Sequence, residues 1–585
     1  MLSNADYALL GFYFVFIFSL GFIFRKASSN ASDYFRGSGS LMWWMVGASA
    51  FMQQVSAFTF TGVAGKAYRD GSIVVVVFFA NALGYFVNYL WTASRFRQMR
   101  IITPIEAVRE RYGKANEQFF TWVQVPVNVM YASIWLNGLA VFISAVFQID
   151  LKLTILLTGG AVVFMSVTGG SWAVIASDFV QMLLIMIITV VAGILAINYV
   201  DIGGVSNFIE KAPENYFNWG EGISIKIVVL WVLASFAKQL FGLNNLMDSA
   251  RFLCARDGEH ARKAALLACC LMFVGPIIWF IPPMMAGIVE PDIGSIFPML
   301  NNPGDAAYVY SGSLTLPAGM MGLLLCGMFA ATMSSMDSAL NRNSGIFVCN
   351  FYQVFLAPKA SQSHLLVVGR IASSVLGVAI ILAALWLSKL KGLTLFDIML
   401  LYGGLVALPS QIPLTLGIFI KKTPPWSGWS TVLIGFAYSL FVVKGLDPHN
   451  IVWLSDNELS EREVNDFRFF AGVLGNIVIC TSWFLFTKRF YSSSSSAFRE
   501  RLDAFFVRMN TPIDFKKEHG EGSGKKQGSM LSIICYVYAA FIFLVGLFVS
   551  HDGFGSRLVY AAVSGVLALI GFALKYSSNK ASEEM

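Results

Sequence analysis

At 585 residues the chain could hold about four soluble domains of roughly 150 residues each, but its composition excludes them. Only 13% of its residues are charged, where globular chains carry about 25%, and the 56% hydrophobic fraction with 51 glycines comes to roughly 65%, where about 45–50% is usual. Too few charges remain to cover a water-exposed particle of this size. Lipid must serve as part of the solvent, with apolar runs of about 20 residues to cross a hydrocarbon core of about 30 Å. The net charge of +7 is scattered over short loops, which fits membrane orientation and gives nucleic acid no continuous patch to bind.

In chain order the apolar runs predict about fifteen transmembrane helices, near 6–24, 41–67, 72–94, 119–148, 152–169, 172–200, 223–247, 264–289, 316–341, 365–388, 393–420, 427–445, 467–487, 529–549 and 556–574. The fold class is an all-α integral membrane protein. The first run follows Asn4, Ala5 and Asp6 and continues for a full span, unlike the short apolar stretch behind a basic start in a cleaved signal, so it is expected to stay. Basic residues recur on one side: Arg95 to Lys114, Arg251 to Lys263, Arg342, Lys359, Arg370, Lys421, Lys422, Lys488 and Arg489. The opposite loops carry Asp201, Glu210, Glu290, Asp292, Asp447 and Glu461. The positive-inside rule then puts the N-terminus outside and the C-terminus in the cytoplasm, across the plasma (inner) membrane.

The stretch 491–528 reads as a cytoplasmic linker. Within it Phe498, Leu502, Phe505, Phe506 and Met509 recur at helical spacing among arginines. That pattern suits an amphipathic helix on the inner leaflet, or equally a segment packed under the bundle. The seven cysteines, without CxxC spacing or a histidine at ligand spacing, read as small core hydrophobes.

No enzyme constellation is present: the five histidines fall in expected loops, and neither a P-loop nor a GxSxG elbow occurs. Polar residues inside the spans are informative instead, since an ionisable group at a helix centre costs about 2.5–3.5 kcal/mol and by default faces a cavity or ion path. In the second span Gln53, Gln54, Ser56, Thr59 and Thr61 crowd together ahead of Gly62 and Gly65, which predicts an unwound turn with freed carbonyls. The seventh span is interrupted similarly by Lys238, Gln239, Gly242, Asn244 and Asn245. An offset of five spans is what a five-plus-five inverted repeat requires, with the broken first helix of each half meeting at the midplane. Ordinary interhelical hydrogen bonding is the plainer explanation of either interruption alone. In the ninth span Ala331, Ser334, Ser335 and Ser338 share one helix face. Their oxygens could hold a monovalent cation weakly, or the serines could bond back to carbonyls one turn earlier.

GASAFMQQVSAFTFTGVAG, VTGGSWAVIASDFVQ, NNLMDSARFLCARDGEHARKA and MFAATMSSMDSALNRNSGIFVCNFYQ, in this order, resemble the sodium/solute symporter family over roughly residues 1–490. The resemblance implies a sodium-driven importer of a small solute, not an enzyme, with spans two to eleven forming the ten core helices. The implied division is an extra helix and loop (1–40), the first repeat (41–200), the second repeat (201–420), two accessory helices (421–490), the linker (491–528) and two C-terminal helices with a tail (529–585). It further implies sodium as coupling ion, bound by the carbonyls of Met52 and Val55 and by Ala331, Ser334 and Ser335. Asp178 matches the family's Asp at the start of the fifth core helix, where with Ser338 it would form a second ion site or exit path, or else pair with a loop arginine; Asp337 would join that ion path or serve helix-helix bonding. At positions where sugar-carrying members have four polar contacts this chain has Thr59, Phe78, Lys238 and Leu400. A hexose is therefore disfavoured, and Lys238 points to an anionic partner, either an internal acid or the carboxylate of a solute in a pocket including Gln54, Phe58, Phe241, Phe396 and Tyr402. A sugar symporter with an atypical pocket, a passive channel and a transporter-derived sensor are the other readings.

Overall fold

The computed structural model describes residues 2–25, 39–168, 171–221, 223–390, 393–450, 459–519, 524–548 and 554–583. The first helix is α1 (Asn4–Arg25). The second span is broken into α2 (Trp43–Met52), a 3-10 turn at Ala57–Phe60 and α3 (Gly62–Asp70). Then follow α4 (Val75–Val87), extended through a π turn to Gln98, a short α5 (Pro104–Tyr112), the long α6 (Lys114–Phe147), α7 (Leu151–Thr168) and α8 (Ser171–Ile197). The second half repeats the break: α9 (Ile225–Leu243) gives way to a 3-10 turn at Leu246–Ser249 and a four-residue helix, Ala250–Leu253. It continues with α10 (Gly258–Trp279), α11 (Ile281–Val289), α12 (Ala307–Thr315), α13 (Met320–Ile346), α14 (Gln362–Leu387), α15 (Leu395–Tyr402) and, past a π turn at Gly403–Ala407, α16 (Leu408–Phe419). Accessory helices α17 (Ser427–Lys444) and α18 (Glu461–Phe486), the short α19 (Ser496–Asn510) and the pair α20 (Gly524–Phe548) and α21 (Phe554–Glu583) complete the chain.

Among the described residues twelve helical segments are long and apolar enough to cross a membrane. The expected fifteen are not reached on that measure. The third run joins the end of the broken second as one segment, Ala57–Gln98; the fifth yields only a shorter apolar helix, Leu151–Phe164; and α1 is not among the twelve. Burial ranks the spans: 89% of the apolar stretch of the α13 span lies inside the protein, against 22% for α14. The polar face of the ninth span is therefore at the centre of the molecule, where its side chains can meet the first break.

Among the described residues, the β-type pairing is one isolated parallel bridge, Leu41 to Ala255. Leu41 donates to Cys254 O at 3.0 Å and accepts from Arg256 N at 2.9 Å, so the start of the first broken helix is bonded to the chain just past the second. Arg97, 1% exposed, stands over this bridge. Its guanidinium donates to Ala255 O at 2.5 Å, Gly39 O at 3.1 Å and Arg256 O at 3.3 Å.

The amphipathic segment settles against protein. Phe498, Leu502, Phe505 and Met509 of α19 are all buried, while Arg508 pairs with Glu110 at 2.7 Å and Lys421 with Asp503 at 2.6 Å. Arg100 holds Glu518 at 2.7 Å. Of the two arrangements its periodicity allows, the packed one is formed, because the loops carrying Arg100, Glu110 and Lys421 supply complementary charge.

Arg97→Ala leaves three carbonyls without this donor in a buried place, a loss of about 3 kcal/mol. The melting temperature of the purified protein in detergent is expected to fall, and Arg97→Lys, with one ammonium for three acceptors, to recover only part of it.

Candidate functional site

The first break follows from local chemistry. After Met52 the chain leaves the helix, Ser56 is extended, and Ser56 N donates to Thr59 Oγ1 at 3.4 Å, so side-chain oxygens take over where backbone bonds stop. Thr61 Oγ1 bonds back to Ala57 O at 3.0 Å, and Ala57 N is taken by Thr332 Oγ1 of α13 at 3.0 Å. Ser335 Oγ donates toward Val55 O at 3.2 Å and Met52 O at 3.5 Å. Ser334, one residue earlier, is buried with its hydroxyl toward the Asp178 carboxylate, and Ala331 is fully buried one turn before. Two freed carbonyls and the Ser335 hydroxyl of α13 therefore meet in a nest of uncharged oxygens, with Ser334 next along the same helix, and such donors suit a weakly held monovalent cation. Gly138 of α6 makes room for it: a methyl there would stand 2.6 Å from Phe58 Cα and 2.7 Å from Phe58 N.

Asp178 of α8 is fully buried beside this nest. One carboxylate oxygen accepts from Ser49 of α2 and lies 3.6 Å from Arg251 Nη2. Arg251 also bonds Ser338, whose hydroxyl donates to Ser334 O at 2.7 Å. Back-bonding is thus realised at Ser338 but not at Ser334. Asp337 is placed differently, 8% exposed and within electrostatic reach of Tyr13 on α1. A partly open cavity adjoins the group on the face that bears the basic loops, lined in part by Gln53, Arg251, Ser338, Asn341 and Arg342.

The other expected pocket residues divide. Lys238 packs on the π turn of the tenth core helix, where a methyl at Gly403 would lie 2.6 Å from its Cε, 2.9 Å from its Nζ and 3.1 Å from the Tyr131 hydroxyl. Tyr402 joins this group, its ring edge-on to Tyr131 at 5.5 Å. Phe241 is half-buried on the same helix as Lys238. Phe78 instead packs on Trp279 and Phe280, and Phe396 lies under the Lys66 ammonium at 5.6 Å. Thr59 is occupied in the break, Gln54 adjoins Tyr85, Phe58 fits against Gly62, and Leu400 is buried. Lys238 has no hydrogen-bond or ion-pair partner among the described residues.

The sequence model of the sodium:solute symporter family matches residues 34–435. The chain belongs to that family. Among curated relatives, the sodium/glucose cotransporter of Vibrio parahaemolyticus is 26% identical over 475 residues, covering 75% of this chain and 85% of that protein. The sodium/sialic acid symporter of Proteus mirabilis is 24% identical over 484 residues, covering 81% and 93%. Human sodium/myo-inositol cotransporter 2 is 27% identical over 485 residues, covering 74% and 69%. Among solved structures, the substrate-bound, outward-open Na+-coupled sialic acid symporter superposes with a TM-score of 0.67 at 21% identity, covering 84% of this chain and 98% of that one, which establishes the shared fold. As a member, the protein is a multi-pass membrane transporter that couples sodium to a small solute by alternating access.

Sequence reasoning allowed Asp178 a loop arginine, which is Arg251, and missed Tyr131 and the cluster that closes the acidic face. Arg251 had been counted with the loop charges, yet it is only 7% exposed because the second break folds it inward. On the acidic face Asp70 of α3 receives Lys66 at 2.7 Å and Arg462 of α18 at 2.6 Å, tying the broken helix to an accessory helix. Asp305, from the turn before α12, seats its carboxylate against bare Gly65 with Arg69 at 4.0 Å. Burial pushes the Asp305 carboxyl up to about 6; Arg69 opposes the shift and Asp397 adds to it.

A raised carboxyl pKa means that the folded state binds the proton more tightly. The stabilisation is complete below the ordinary carboxylate value and is lost as pH rises through about 6. Between pH 5 and 7.5 the wild-type melting temperature should therefore decline relative to Asp305→Asn by about 1–3 °C, and parallel curves would refute the assignment.

Proposed function

We propose that the protein imports a small carboxylate-bearing organic solute together with sodium across the plasma membrane, its basic loops and C-terminus in the cytoplasm and its N-terminus outside. The observation that carries the choice of solute is Lys238, an ammonium on the second broken helix without a counter-ion among the described residues, packed with the Tyr131 hydroxyl against bare Gly403. A buried cation is costly unless paired, and a carboxylate accepting from ammonium and phenol together supplies the pairing only when the solute is bound. Tyr402 walls this site, with Phe241 on the side of α9. The acid named for the sodium/sialic acid symporter is compatible with such chemistry.

Sodium on this reading is held by the carbonyls of Met52, Val55 and Ala331 and the hydroxyls of Ser334 and Ser335. The support is the meeting of Ser335 with the Met52 and Val55 carbonyls at the first break and the buried hydroxyl of Ser334 one residue earlier. Because none of the five carries a formal charge, the ion is released readily. One charge moving down a 100 mV potential supplies about 2.3 kcal/mol, enough for a roughly fifty-fold solute gradient. Asp178 and Ser338 border the same ion and form its route toward the basic-face cavity. Asp337 joins them only if α1 yields its place near Tyr13.

In proteoliposomes uptake is expected with an imposed inward sodium gradient and not with proton or potassium gradients. Uptake independent of sodium would overturn the coupling. Ser335→Ala is expected to raise the sodium concentration for half-maximal uptake about tenfold, the effect of losing one ligand worth about 1.4 kcal/mol. Lys238→Met should abolish competition by a carboxylate while sparing sodium binding. If a carboxylate and its amide compete equally against the wild type, the solute class is wrong.

A further inference from the structure

The arrangement around Asp178 contains a cation that the transport cycle has not yet used. We propose that Arg251 is a tethered cation that competes with transported sodium for Asp178, so that formation of the Arg251–Asp178 pair drives sodium off its site toward the basic-face cavity. The proposal rests on Met52, Val55, Ala331, Ser334 and Ser335 being the sodium ligands.

The geometry places the two cations on either side of one carboxylate. Toward the first break, Asp178 adjoins the buried hydroxyl of Ser334, which faces its carboxylate. Toward the cavity, one carboxylate oxygen lies 3.6 Å from Arg251 Nη2. Arg251 bonds Ser338 as well, and Ser338 in turn bonds the backbone oxygen of Ser334. An ion leaving the nest for the cavity lined by Gln53, Ser338 and Arg251 must pass this guanidinium. Arg342 lines the same cavity but has an acid of its own, Asp248 at 3.9 Å.

The chain carries Arg251 and Asp178 on different parts. Asp178 belongs to α8 and Ser338 to α13, whereas Arg251 follows the break that ends α9. A rocking movement of the second broken helix against α8 and α13 therefore lengthens or restores the pair. With the pair made, sodium beside Ser334 meets a carboxylate already neutralised and a like charge behind it. With the pair parted, sodium meets a buried negative charge. A single rotation thus changes the affinity of the nest, which is the differential binding between two states that coupling requires.

The test is the sodium-dependent rise in melting temperature of the purified full-length protein, titrated with NaCl against choline chloride at constant ionic strength. Arg251→Gln is expected to lower the sodium concentration for half-maximal shift at least tenfold, and Arg251→Lys to keep it near the wild-type value. In an Asp178→Asn background Arg251→Gln should no longer change that concentration. In proteoliposomes the Gln variant should bind sodium tightly but import slowly. An unchanged or weakened sodium affinity in Arg251→Gln, or the same tightening with Asp178→Asn present, overturns the proposal. Should Arg251→Gln be too unstable to purify, Arg251→Met and Arg251→Lys carry the same comparison. Ser335→Ala separates the two levels: a sodium shift that survives it unchanged refutes the assigned nest, whereas a shift lost in Ser335→Ala but not tightened in Arg251→Gln refutes the role of Arg251 alone.

Discussion

A helix that stops in the middle of a bilayer exposes polar backbone where no water can satisfy it, and the architecture is organised around that constraint. The break after Met52 is tolerable because α13, the most enclosed helix, brings Thr332 to the amide of Ala57 and Ser335 to the carbonyls of Met52 and Val55. Gly138 lets α6 come close enough to exclude lipid from the same turn. The groups that make the break affordable are thus the ones that form the oxygen nest. Stability and ion binding are two aspects of one set of hydrogen bonds.

The two faces of the molecule are closed by different means. On the acidic face Asp70 accepts from both Lys66 and Arg462, and Asp305 fills the space left by Gly65, so charge pairs join the broken helix to its surroundings. On the basic face a cavity reaches Gln53 and Ser338, and Arg251 stands between it and Asp178. Ion pairs thus tie the acidic side together, while on the basic side Arg251 lies between the cavity and Asp178.

Much of this was legible in the sequence. Helical spans announce themselves by hydropathy, and both breaks by clusters of polar and small residues, GlnGlnValSer in one and GlyLeuAsnAsn in the other. The spacing of Ala331, Ser334 and Ser335 placed them on one face because a helix leaves little choice. The burial of Arg251 was hidden for a physical reason: its neighbours look like a charged loop, and only the turn at Leu246–Ser249 carries it into the core. The aromatic residues were hardest to place. Phe78 and Phe396 are equally good walls for a pocket or for a neighbouring helix, and tertiary packing against Trp279 and Lys66 decides between them. The pattern of α19 likewise satisfies lipid or protein, and the charges that settled it lie far away in the sequence.

The short bridge between Leu41 and Ala255 has a mechanical meaning. Two backbone hydrogen bonds, overlain by Arg97, splice the segment that begins the first broken helix to the one that ends the second. One helix bears the oxygens of the nest and the other bears Lys238, so the splice makes them a single lever. A slippage cycle, in which the ion passes without the solute, would need one arm to swing while the other stays still. The lever can do this only by tearing its fulcrum.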